Sequence, residues 1–119
     1  MISQKILGIG TDITSVSRMK QILQKSYKQR FLVKTLNPIE IEQIEKKSNI
    51  DLQAQFLASR WAFKEAVVKA TGRVDLVYPQ MYLEKNELRT HVSISHEDEY
   101  SVAFVLIYQN IQQQNQNQS

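Results

Sequence analysis

The sequence predicts one small α/β domain of the α+β kind, and three observations lead to it. A glycine-containing apolar segment, 6–13, reads as a strand near the N-terminus. The stretch 52–71 carries the period of a long helix and is stopped by Gly72. Two apolar or alternating runs, 91–95 and 100–108, flank a polar turn and read as a hairpin. A chain of 119 residues suits one domain, and its 42% hydrophobic content suffices for one modest core. A domain this small gains from oligomerisation. We place the folded part at residues 1–108 and read the Gln/Asn-rich stretch 109–119 as a disordered tail.

In the first strand Leu7 and Ile9 alternate with Gly8 and Gly10. Glycine inside a strand packs poorly by itself, and its usual reason is close approach of another backbone. Thr14 or Ser15 can cap the helix that follows. On that helix Val16, Met19, Leu23 and Tyr27 share one side, and Arg18, Gln21, Lys25 and Lys28 the other. Asn37-Pro38-Ile39-Glu40 is a helix start, with Asn37 as cap, Pro38 in the first turn and Glu40 placed for a capping box; this helix should run to about Lys47. Ser48–Asp51 reads as a loop. Met81–Lys85 has strand character, and Tyr78-Pro79 interrupts pairing just before it.

The chain has no cysteine, which removes disulfides and thiolate metal sites and points to a reducing compartment, cytoplasmic or organellar. No apolar run approaches the length of a membrane span, and the N-terminus lacks the long apolar core of a secretory signal. The net charge of +3 hides an asymmetry: residues 1–36 carry seven bases against one acid, and residues 37–119 carry eight bases against eleven acids. A basic N-terminal third calls for an acidic partner. Nucleic acid fits poorly, because aromatic residues are not interleaved with the basic face and no nucleic-acid motif is present.

Few residues stand out as chemical. Asp12, the one acid among the first 36 residues, ends the glycine-containing strand and is either a helix cap or a ligand. Glu65 and Lys69 lie four apart on the long helix, either as a surface ion pair or as part of a site that the small Ala58 and Ala62 leave open. Arg60 and Lys64 lie on another face of the same helix, and His96 closes the strand at the hairpin turn. Two carboxylates without a Cys/His cluster suit a hard cation such as Mg²⁺, which takes one or two protein carboxylates and then phosphates and waters.

Three segments, in order, resemble the holo-acyl-carrier-protein synthase family of 4′-phosphopantetheinyl transferases. They are Gly8-Ile9-Gly10-Thr11-Asp12-Ile13, then Phe56 through Ala70 with its Trp61-Ala62-Phe63-Lys64-Glu65-Ala66 centre and Lys69-Ala70 end, then His91 through His96 before an apolar strand. Arg30-Phe31 and the Asn37 helix start also sit where the family has a similar stretch. The resemblance implies an antiparallel sheet packed on a long helix, a trimer, and coenzyme A bound between neighbouring subunits. It implies that Asp12 and Glu65 bind Mg²⁺ and, with Lys69, form the catalytic group. Arg60, Lys64, Lys69 and His96 would hold coenzyme A. An acidic acyl carrier protein would dock on Arg18, Lys25, Lys28, Arg30 and Lys34. The implied reaction moves phosphopantetheine from coenzyme A to a carrier serine and releases 3′,5′-ADP. The segment 73–90 is shorter than the family's and lacks its Gly-Lys-Pro turn, so the sheet is expected to lose a strand. That departure leaves a second reading, a relative that binds carrier or coenzyme A without transfer.

Overall fold

The computed structural model describes residues 2–73, 78–80 and 90–112. Strand β1 (Ile2–Ser15) leads into helices α1 (Val16–Leu23), α2 (Lys28–Thr35), α3 (Pro38–Glu45) and α4 (Ile50–Thr71). A 3₁₀ turn at Tyr78–Gln80 follows, then the hairpin strands β2 (Thr90–His96) and β3 (Tyr100–Gln112). The three strands form one antiparallel sheet in the order β1-β3-β2, with Asp12 opposite Ala103. This is the α+β arrangement expected from the sequence, with the long helix lying on one face of the sheet.

Local chemistry explains the element ends. Ser15, not Thr14, caps α1 by accepting from the Arg18 N–H. Asn37 caps α3, and Glu40 Oε1 accepts from the Asn37 N–H at 2.9 Å, which completes the expected capping box. Asn49 starts α4 two residues ahead of the expected point, inside what read as a loop. Gly72 ends it in the left-handed conformation, φ 68°.

The stretch read as one basic helix is two. α1 stops at Leu23, and α2 starts at Lys28. Leu23, Leu32 and Leu36 are all buried in the same cluster. At 3.6 residues per turn, an unbroken helix would set Leu32 about 180° away from Leu23. The break lets both face the core, and it leaves Tyr27, expected on the buried side, exposed. At the other end, β3 continues past Tyr108 to Gln112, paired with β1 as far as Ile2. Residues 109–112 are therefore strand rather than tail. The expected strand at Met81–Lys85 lies outside the described residues, as do 113–119.

α4 belongs to two cores. Its first half packs with Val16, Met19, Leu23, Leu32, Leu36 and Ile44 of the smaller helices. Its second half, through Ala62, Phe63, Ala66, Val67 and Ala70, packs on Ala103, Val105 and Ile107 of β3. β1 meets α4 through its glycines. A Cβ on Gly8 would stand 1.8 Å from the Ala70 carbonyl oxygen, and one on Gly10 2.1 Å from that of Ala66. The expected close backbone approach is thus present, and its consequence is that the apolar side of β1 faces away: Ile9 and Ile13 are exposed.

Because neither helix backbone nor strand can yield at such distances, Gly10→Ala should cost about 3 kcal/mol or more, at the upper end for overpacking. Gly72→Ala meets no atoms and should cost only about 1–2 kcal/mol for its left-handed conformation. Urea unfolding of both variants measures the contrast; equal losses would refute the close-approach account.

Candidate active site

The side chain of Asp12 follows from the register of β1. Gly8, Gly10, Asp12 and Thr14 alternate onto the face that meets α4. Since Gly8 abuts Ala70 and Gly10 abuts Ala66, the strand runs antiparallel to the helix, and Asp12 arrives beside the turn that carries Glu65. Asp12 is no helix cap, since Ser15 has that role. Its Oδ2 accepts from the Thr14 hydroxyl at 2.8 Å, and its Oδ1 lies 3.2 Å from Lys69 Nζ. Lys69 also donates to the Thr11 carbonyl at 3.1 Å. Of the two readings open for Lys69, the ion pair forms, but with Asp12 on β1.

Glu65 is half-buried on the turn of α4 before Lys69. Burial, and then the negative charge of Glu65 and Asp12, push the Tyr78 phenol up to about 12. The Asp12–Lys69 contact across β1 and α4, with Glu65 one turn before Lys69 on the same helix, brings the three into one neighbourhood. Ala58 and Ala62 leave no room there: both are fully buried in packing, Ala58 among the helices and Ala62 against the sheet.

Lys64 has a different place from the one expected. It is fully buried, and its Nζ donates to the Thr35 carbonyl at 2.7 Å and to Glu40. Burial pulls its ammonium below the usual lysine range, against the opposing effect of Glu40. It offers no surface to a ligand; it ties α4 to the end of α2 and the start of α3. Arg60 Nε stands 3.5 Å from Glu40 Oε2, which is buried without a hydrogen bond. Burial lowers the guanidinium, and Glu40 counters it. The Arg60 guanidinium also lies 4.4 Å over the Phe56 ring.

Arg60 and His96 do meet. They line an open cleft of about 340 Å³ together with Lys47, Phe56 and Ser59. Lys47 Nζ also lies 5.5 Å from the Phe56 ring centre. Sequence reasoning missed Lys47, Phe56 and Tyr78, since none has a partner nearby in sequence. Only the cationic character of Lys47 could have suggested it. The five basic residues expected to dock a carrier fall on α1, α2 and the turn between them. Arg18, Lys25, Arg30 and Lys34 are exposed and Lys28 half-buried. Arg18 is anchored 5.8 Å over the Trp61 ring.

This arrangement puts two carboxylates and a lysine at the junction of β1 with the second half of α4, and a basic cleft between the first half of α4 and β2. Residues 8–114 match the model of the 4′-phosphopantetheinyl transferase superfamily, and the chain belongs to that superfamily. Its relatives within it are holo-acyl-carrier-protein synthases. The one from Ehrlichia chaffeensis is 36% identical over 120 residues, covering 87% of this chain and 97% of that protein. The one from the Wolbachia of Brugia malayi is 38% identical, covering 86% and 95%. Two solved structures share the fold. A Bacillus anthracis holo-acyl-carrier-protein synthase in complex with CoA (3′,5′-ADP) has a TM-score of 0.73 at 26% identity, over 87% of this chain and 96% of that one. The Plasmodium yoelii acyl carrier protein synthase with ADP bound has a TM-score of 0.74 at 27% identity, over 89% and 97%. Family and relatives agree with the resemblance drawn from the three motifs, and they make the chain an enzyme of the phosphopantetheinyl transferase class.

The two lysines of α4 should separate in their effects. Lys64→Met strands Glu40 in the interior and should cost about 3–5 kcal/mol of stability. Lys69→Met removes a largely exposed ion pair and should cost under about 1 kcal/mol. Chemical denaturation of the purified variants reads both; a Lys64→Met chain as stable as the parent would sink the structural role given to Lys64.

Proposed function

We propose that this enzyme is a holo-acyl-carrier-protein synthase that transfers 4′-phosphopantetheine from coenzyme A to a serine hydroxyl of apo acyl carrier protein and releases 3′,5′-ADP. The observation that carries the reading is the meeting of Asp12 with Lys69, one turn of α4 beyond Glu65, at the β1–α4 junction. The donor set fits Mg²⁺: two carboxylates from two elements, with no group of three or more His, Cys, Asp or Glu among the described residues. That cation needs only one or two protein carboxylates and completes its shell with phosphate oxygens and water. Asp12 and Glu65 are its proposed ligands. When bound, it supplies charge neutralisation at the pyrophosphate and at the leaving phosphate.

The chain's own residues then divide the work. The serine oxygen forms a bond to the β-phosphorus, and the bond from that phosphorus to the 3′,5′-ADP oxygen breaks. Glu65 accepts the serine proton, directly or through a water. Lys69, half exposed beside Asp12, stabilises the charge that collects on the departing phosphate. Arg60 and His96 hold outer parts of coenzyme A in the cleft, where a buried guanidinium favours a phosphate. Lys64 takes no part in binding, because it is enclosed. Arg18, Lys25, Lys28, Arg30 and Lys34 form the dock for an acidic carrier, which acts on association more than on chemistry.

The outer face of the sheet supports a homotrimer. Ile9, Ile13, Val102 and Phe104 are exposed there, and Ile13 pairs directly with Val102. An apolar surface of this kind on a small domain is stabilised by association. No helix among the described residues is long and apolar enough to cross a membrane.

Incubation with apo acyl carrier protein, coenzyme A and Mg²⁺ should add a phosphopantetheine mass to the carrier by intact mass spectrometry. Asp12→Ala, Glu65→Ala and EDTA should each abolish the gain, and raised salt should raise the KM for the carrier. A folded parent that modifies no carrier contradicts the transferase reading and leaves a binding role. Light scattering should give a mass near three times the 13.9 kDa chain, reduced to one chain by Phe104→Lys. A parent that is monomeric at assay concentration rules the trimer out.

A further inference from the structure

Glu40 lies outside the three motifs, and its carboxylate is divided between two tasks. The side chain is only 3% exposed. Its Oε1 accepts from the Asn37 N–H at 2.9 Å and from Lys64 Nζ. Those donors hold one oxygen and so set where the other points. Oε2 is buried without a hydrogen bond, and Arg60 Nε stands 3.5 Å from it. Arg60 is supported on a second side by the Phe56 ring, 4.4 Å from its guanidinium. The same side chain, 20% exposed, lines the cleft with Phe56, Lys47 and His96. Lys64 is fully enclosed and also donates to the Thr35 carbonyl. Two cations thus share one carboxylate, and of the two only Arg60 reaches the cleft.

We propose that Glu40 is a positioning residue for Arg60: its Oε2 holds the Nε edge of the guanidinium against the Phe56 ring, and the remaining N–H groups are left for a phosphate of the ligand in the cleft. The inference rests on the reading of that cleft as part of the coenzyme A site. A free arginine side chain gives up rotamer freedom when it binds; one already held on two sides loses less, so more of the contact appears as affinity. Nε carries one N–H and the terminal amino groups carry the others, so a partner at Nε leaves most of the donor fork for an anion. Charge points the same way. One carboxylate cannot balance two cations, and a phosphate beside Arg60 offsets the excess. Lys64 serves this arrangement indirectly: with the Asn37 N–H it occupies Oε1 and leaves Oε2 to Arg60.

The test is a double-mutant cycle on Glu40→Gln and Arg60→Lys, with 3′,5′-ADP as the probe and its binding read by calorimetry. Glu40→Gln keeps the shape and removes the charge. Arg60→Lys keeps the charge and removes the Nε edge. Each single variant should weaken binding about tenfold, the low end for one lost charge-assisted hydrogen bond. The double variant should bind no more weakly than the weaker single one, because both changes break the same link. A merely structural role for Glu40 would lower the melting temperature without producing this coupling. In the transfer assay Glu40→Gln should raise the KM for coenzyme A and leave kcat unchanged, since Arg60 precedes Glu65 by more than a turn of α4. An Arg60→Lys chain that binds 3′,5′-ADP as tightly as the parent overturns the proposal, even where Glu40→Gln does not fold. Single losses that simply add in the double variant overturn it too. A parent that binds no 3′,5′-ADP instead removes the coenzyme A reading of the cleft itself.

Discussion

The backbone contact between β1 and α4 is the constraint on which the rest depends. Gly8 and Gly10 let the strand lie against the Ala66 and Ala70 carbonyls at distances no side chain would allow. That contact sets the height of β1 along the helix, and with it the point where Asp12 arrives. Two residues of strand beyond Gly10 bring a carboxylate to Lys69 and to the neighbourhood of Glu65. It also determines orientation. With the glycine side turned inward, period-2 alternation sends Ile9 and Ile13 outward. One packing decision thus builds the site on one face of the sheet and an apolar surface on the other.

A second constraint holds the helix that carries the site. Lys64 and Arg60 both face Glu40, which also completes the capping box of α3. Two cations against one carboxylate in the interior are costly to bury, and hydrogen bonds to the Thr35 carbonyl and the Asn37 N–H offset that cost. The charges therefore fix geometry more than they add stability. They join the α2–α3 corner to the middle of α4, one residue before Glu65. The Asn37–Pro79 bond extends the same corner to the turn of Tyr78. Glu65 thus follows directly on an internal ion pair, while Lys69, one turn on, stays accessible.

Electrostatics divide the surface by function. The cleft at Arg60, Lys47 and His96 gathers positive charge on the side of α4 away from Asp12. The bases of α1 and α2 make a second basic area, separated by a helix break and stiffened by Arg18 over Trp61. The two proposed binding areas, for coenzyme A and for an acidic carrier, are therefore distinct, with the carboxylates between helix and strand.

Much of this was legible in the sequence. The helix starts at Asn37 and the stop at Gly72 follow from backbone groups that need local partners, so nearby residues reveal them. The glycine pair announced a close approach for the same reason. The three motifs pointed to the family and singled out Asp12, Glu65 and Lys69 as candidates. What the sequence did not reveal depends on distant partners. Nothing local says that Lys64 points inward, since a lysine beside a glutamate reads as surface until Glu40, 24 positions away, is folded against it. Nothing local breaks the helix after Leu23; burial of Leu23 and Leu32 in one core does. Tyr78 packs on Trp61, 17 positions away, only in the folded chain, and Gln109–Gln112 become strand only because β1 is long enough to pair with them. Backbone capping and steric need are short-range and written in adjacent residues, whereas the side of an element that is buried is decided by what packs on it.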